Sequence, residues 1–92
     1  MTIHTVEGNN KGKIMLYALS TCGWCKKSKR LLLELEVSYQ YVDVDLQSNE
    51  DQDGIDAILA KYDPNISYST IVINEDHIIK GFDPVAIRGE FE

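Results

Sequence analysis

Cys22 and Cys25 are the only cysteines in the chain, in the run Ser20-Thr21-Cys22-Gly23-Trp24-Cys25-Lys26-Lys27. An apolar, strand-like stretch, Ile14-Met15-Leu16-Tyr17-Ala18, precedes them, and a helical stretch from Ser28 to Leu35 follows. Two thiols one helical turn apart can close and open a disulfide. The first stands at a helix start, where unpaired backbone N–H groups and the helix dipole favour negative charge. That favours the thiolate, which is the nucleophilic form. The chemistry indicated is thiol–disulfide exchange, which needs a good thiolate and a positioned second thiol but no metal and no separate base. A thiol beside glycine at an exposed helix start is not where packing cysteines sit.

Bulk properties narrow the setting. Ninety-two residues make one domain, 1–92, large enough for a modest core but not for a large interior ligand cavity. Hydrophobic content of 43% and charged content of 26% are ordinary for a soluble globular protein. No apolar run is long enough to span a bilayer, and the N-terminus lacks a basic segment followed by an apolar one. The expected location is the cytoplasm, with no membrane partner. There a lone cysteine pair is catalytic or metal-binding rather than a staple.

The net charge of −6 argues against a nucleic-acid partner. Its distribution is uneven. Lys11, Lys13, Lys26, Lys27, Lys29 and Arg30 fall in a stretch without a single acid, whereas acids dominate from Glu34 onward. Lysines early in a helix oppose its dipole. Beside Cys22 they would lower its pKa, Lys26 above all, and attract an acidic partner.

The elements that must position the thiols read as follows. Residues 1–12 form an N-terminal extension, either a short extra strand around Ile3 and Val6 or a flexible arm, with Gly8-Asn9-Asn10-Lys11-Gly12 as a turn. Lys13–Ala18 is a central strand. Gly23–Glu36 is a helix, with Trp24, Cys25, Ser28, Leu31, Leu32 and Leu35 at helical spacing. Val37–Val44 is a strand of β-branched and aromatic residues. Ser48 or Asn49 caps a second helix with Ile55, Ile58, Leu59 and Tyr62 on its buried stripe, ended at Asp63-Pro64-Asn65. Thr70–Ile73 and His77–Lys80 form a hairpin, and Asp83-Pro84 caps a last helix. The fold class is α/β, with a parallel βαβ unit completed by a hairpin and helices on both faces.

These segments, in this order, resemble the glutaredoxin and thioredoxin superfamily, and the small glutaredoxin-like redoxins most closely. The resemblance runs from Lys13 to the C-terminus. It rests on Cys22-Gly23-Trp24-Cys25, Tyr41-Val42-Asp43-Val44-Asp45, Thr70-Ile71-Val72-Ile73 and Gly81-Phe82-Asp83. It implies a thioredoxin fold with a four-stranded mixed sheet in the order 2-1-3-4. It also implies a redox-active disulfide and no tightly bound cofactor: Cys22 attacks a substrate disulfide, and Cys25 resolves the mixed disulfide. The same resemblance implies that Thr21, Gly23, Trp24, Tyr68, Ser69, Thr70, Gly81, Phe82 and Asp83 line the substrate groove. Partners on this analogy are protein disulfides, ribonucleotide reductase among them. The electron donor is a thioredoxin-type reductase, a ferredoxin-linked reductase or glutathione. Lys80-Gly81-Phe82-Asp83 has one glycine and a bulky aromatic where glutathione-using members carry paired glycines or Gly-Cys before Asp, which favours a reductase. A lysine near Lys13 meets a glutathione carboxylate in some relatives; otherwise Lys13 is a solvated strand-end charge.

One position departs from the family. A cis-proline faces the cysteines in its members, and here Ser69 stands in that place. A cis bond before a residue other than proline is disfavoured by about 2.5–4 kcal/mol, so Tyr68–Ser69 is expected to be trans. A trans bond would re-aim the Tyr68 backbone. With serine in the proline position, substrate docking is expected to be weaker and the domain less stable than its Ser69→Pro relative, and restoring proline is expected to increase activity. The missing ring also leaves room beside Cys22, so the alternative reading is an iron–sulfur or metal carrier. In that reading Cys22 from two chains binds the cluster and glutathione completes the ligand set, making a dimer of an otherwise monomeric protein. A zinc site within one chain would need four ligands, and His4 and His77 lack the spacing to join the cysteines.

Overall fold

The computed structural model describes residues 1–92. The strand Ile14–Ala18, here β2, organises the rest. Its alternate residues Ile14, Leu16 and Ala18 are buried on one face of the sheet, while Met15 and Tyr17 are half-buried on the other. β2 pairs in parallel with β3 (Tyr39–Asp43) and antiparallel with β4 (Thr70–Ile73), which pairs antiparallel with β5 (His77–Lys80). This reproduces the expected order of the four family strands.

The sheet nevertheless has five strands, not four, in the order β1-β3-β2-β4-β5. The added strand, β1 (His4–Val6), comes from the N-terminal extension and pairs antiparallel with β3. Its anchors are specific. The His4 ring stacks on Tyr41 at 4.8 Å, and Asn9 exchanges backbone hydrogen bonds with Glu36 and Ser38 at 2.7 and 2.9 Å. The extension thereby covers an edge that β3 would otherwise expose.

Helix α1 (Gly23–Glu34) and helix α3 (Pro84–Phe91) cover one face of the sheet, and α2 (Asn49–Ala60) covers the other. The larger core joins Cys25, Leu31 and Leu32 of α1 and Ile87 and Phe91 of α3 to β2, β4 and β5. The smaller joins Ile55 and Leu59 of α2 to Val42, Val44 and Val72. Capping follows the sequence signals. The Ser48 hydroxyl accepts the Asp51 N–H at 3.1 Å, and the Asp83 carboxylate accepts the Ala86 N–H at 3.0 Å, with Pro84 opening α3. No helix is long and apolar enough to cross a membrane.

Several boundaries move inward from the sequence reading: β2 begins at Ile14, and β3 ends at Asp43 because Val44 opens a 3-10 turn. α1 stops at Glu34 because Glu36 takes left-handed backbone, with φ of 57°. β3 begins at Tyr39 because Val37 pairs only through an isolated bridge to Asn9.

Gly8 fits this junction because it lacks a side chain. A Cβ there would lie 2.7 Å from the Glu36 carbonyl oxygen and 2.8 Å from the Val37 carbonyl carbon, both backbone atoms. Gly8→Ala is expected to destabilise the domain by about 1–3 kcal/mol through this overlap. A urea midpoint unchanged from the parent would show that β1 and its connection contribute little.

Candidate active site

Cys22 is the N-cap residue of α1, with extended backbone (φ −85°, ψ 119°). Its sulfur does what a Ser or Asp oxygen does at other helix starts: it accepts the Cys25 N–H, at 3.3 Å. The loop before it is pinned from the end of the neighbouring strand β3, since the Asp45 carboxylate accepts the Ser20 N–H at 2.8 Å and the Ser20 hydroxyl at 2.6 Å. Both thiols are free; Cys22 is half-buried and Cys25 is fully buried.

Their environments push the two thiols apart. Burial resists ionisation of Cys22, but hydrogen bonds from the Cys25 thiol and from the Cys25 and Trp24 backbone outweigh it and hold Cys22 below the ordinary thiol range. Burial pushes Cys25 up to about 11, reinforced by its hydrogen bond to Cys22 and opposed by the Leu19 N–H, 3.4 Å from its sulfur. The first turn of α1 carries no acid, unlike that of α2, so no carboxylate there competes with a thiolate for the helix N-terminus. Lys26 lies exposed on this turn and forms no ion pair, whereas Lys29 pairs with Asp43 at 3.0 Å.

The Ser69 segment differs from expectation. The Tyr68–Ser69 bond is cis, not trans. Tertiary contacts engage the Ser69 hydroxyl and carbonyl. Its side chain is fully buried with its hydroxyl 3.0 Å from that of Ser28, and its carbonyl accepts the Gly81 N–H at 2.6 Å. The re-aimed Tyr68 backbone expected of a trans bond is therefore not found, and the Ser69 hydroxyl is occupied by Ser28.

That carbonyl joins the Tyr68-Ser69-Thr70 segment to Gly81-Phe82-Asp83. Gly81 turns the chain with φ of 68°, conformationally suited to glycine. Phe82 then stacks on Trp24 with ring centroids 6.0 Å apart, bringing the third segment to the cysteines. Trp24, 58% exposed, is the most prominent apolar group beside Cys22. Tyr68 bridges the two cores, and its phenol reaches Asp56 at 3.4 Å. Thr70 is buried with its hydroxyl on the Ser67 carbonyl, bracing the loop from inside. Thr21 and Gly23 are exposed on the rim. Lys13 is not brought to the site: it stands just before β2, at the opposite end of the strand from the thiols, and pairs with Glu75 of the hairpin turn.

Ser28 and Asp45 escaped the sequence reading as site residues. Each acts through a partner distant in sequence, Ser69 and Ser20 respectively, and no local spacing announces such a pair. No group of three or more His, Cys, Asp or Glu side chains is placed to hold a metal ion within the chain.

The glutaredoxin family model matches residues 14–78. No curated protein sequence matches the chain. Among solved structures, the glutaredoxin from Methanosarcina mazei Go1 is 36% identical with a TM-score of 0.91, covering 97% of this chain and 86% of that one. Methanosarcina acetivorans methanoredoxin is 39% identical with a TM-score of 0.88, covering 91% and 88%. The buckwheat glutaredoxin–glutathione complex is 26% identical with a TM-score of 0.68, covering 87% and 70%.

Two outcomes are expected of this geometry. In the reduced protein, iodoacetamide modifies Cys22 first, with an inflection below the usual thiol range. Because the Cys25 thiol donates to the Cys22 thiolate, Cys25→Ala shifts that inflection upward. Peptide mapping across pH checks both; equal reactivity of the two thiols would contradict the assignment. Separately, Ser28→Ala orphans the buried Ser69 hydroxyl and costs about 1–3 kcal/mol, while the double change to alanine recovers part of the loss. Urea titration of the three proteins measures it.

Proposed function

The chain belongs to the glutaredoxin family, and from that premise we propose that it is a dithiol redoxin that reduces protein disulfides through Cys22 and Cys25. The observation that carries this reading is the pair of opposed thiol environments on one helix turn, Cys22 lowered and half-exposed, Cys25 raised to about 11 and buried.

The reaction follows from them. The Cys22 thiolate attacks one sulfur of the substrate disulfide; that bond breaks, a mixed disulfide forms, and the departing substrate sulfur takes a proton. Cys25 then loses its proton and attacks Cys22. The second substrate thiol leaves, and the protein holds a Cys22–Cys25 disulfide. Two electrons have passed to the substrate. Order is built in, because a high pKa keeps Cys25 protonated until Cys22, bound in the mixed disulfide, becomes its target.

Groove roles follow the same reading. Tyr68, Ser69 and Thr70 form the wall along which an extended substrate backbone pairs. Thr21, Gly23 and Trp24 form the rim, and Gly81, Phe82 and Asp83 form the far side. The Asp83 carboxylate already caps α3 through the Ala86 N–H. Lys26 adds positive charge near Cys22.

The protein is reset by a donor of two electrons. The buckwheat relative was solved with glutathione, and glutathione remains a donor to compare with thioredoxin-type and ferredoxin-linked reductases. A protein reductase is favoured here because Phe82, stacked on Trp24, puts an aromatic at the turn where glutathione users carry small residues. The reducing cytoplasm suits such a cycle.

The test is a redox titration followed by Trp24 fluorescence and visible absorbance. A colourless protein with one reversible two-electron transition in the redoxin range of about −180 to −300 mV is expected. Cys22→Ser abolishes turnover of disulfides, and Cys25→Ser accumulates the mixed disulfide. Visible absorbance removed by a chelator, with no reversible transition, would replace this reading with the metal-carrier one.

A further inference from the structure

A groove of about 170 Å³ lies between α1 and α3. Lys27, Arg30, Leu31 and Glu34 line one side, and Phe82 and Arg88 line the other. The groove adjoins Trp24, the residue between the cysteines: the Lys27 ammonium sits over its ring at 4.6 Å and Phe82 stacks on it.

The charge here is unbalanced. Arg88 is partly neutralised by Glu92 at 3.0 Å and Glu34 at 4.0 Å. Lys26, Lys27 and Arg30 are exposed and form no ion pair. Lysines early in a helix work against its dipole, so their clustering on α1 costs helix stability rather than adding to it. The chain as a whole carries −6, yet salt screens charges beyond about 8 Å under physiological conditions, so a docked partner feels this local patch.

We propose that the α1–α3 groove docks an acidic segment flanking the cysteines of the protein substrate, its carboxylates meeting Lys27 and Arg30 and an apolar side chain lying on the Trp24–Phe82 pair. The proposal rests on the exchange reading above and adds a substrate class to it: disulfides bordered by acidic sequence.

Two synthetic peptides test it, each with the same disulfide loop, one followed by three glutamates and the other by three lysines. Dithiothreitol serves as reductant, and uncharged hydroxyethyl disulfide serves as a third substrate. At low salt kcat/KM should favour the acidic peptide by about tenfold, and the ratio should shrink as salt rises. Arg30→Glu should bring the ratio to one or below, with Arg30→Gln between. Equal rates for the two peptides, or a preference that Arg30→Glu leaves unchanged, would overturn the docking site. If hydroxyethyl disulfide is reduced while the peptides are treated alike, only the docking inference falls. If the wild-type protein reduces none of the three, the exchange reading falls with it.

Discussion

A helix that must be capped by sulfur sets the terms for this molecule. The first N–H groups of any α-helix lack partners within it. At α2 and α3 an oxygen of Ser48 or Asp83 answers that need. At α1 the Cys22 sulfur does so instead. A neutral thiol is a weak acceptor and a thiolate a strong one, so the same bond that starts the helix lowers the cost of ionising Cys22. Structure and reactivity share one interaction; burial opposes the ionisation, but no acid in the first turn adds to that opposition.

The remaining architecture holds that helix start in place. Leu16 and Ala18 of β2, with Leu31 and Leu32 of α1, press the helix on the sheet, and Cys25 is buried among them. Asp45 fixes the loop on one side of Cys22 through Ser20. Ser28, one turn beyond Cys25, holds Ser69, whose carbonyl holds Gly81. Three segments far apart in the chain meet at the thiols through two hydrogen bonds and the Trp24–Phe82 stack. In a buried setting such bonds are costly to leave unmade, which favours a single arrangement of the groove.

Electrostatics divides the surface. α1 presents exposed cations beside the thiols, while α2 begins with Glu50 and Asp51 as its dipole favours. Stability alone would place acids on both helices.

Much of this was legible in the chain alone. Short-range patterns fixed the nature of the site: cysteine spacing, the apolar run before it, the caps at Ser48 and Asp83, and proline at the start of α3. All are local, acting within a turn or a strand, so adjacent residues suffice to read them. The fifth strand was less clear, since His4–Val6 gains its order from Tyr41 and from the close approach of Gly8 to Glu36 and Val37. Ser69 was misread because the local preference for trans is only one contribution, and burial with partners at Ser28 and Gly81 is decided by residues about forty and twelve positions away. Sequence determined where the two thiols sit and which secondary structures carry them. Tertiary structure alone decided which hydroxyl, carbonyl and aromatic ring surround them, because those contacts form only when distant segments pack into one core.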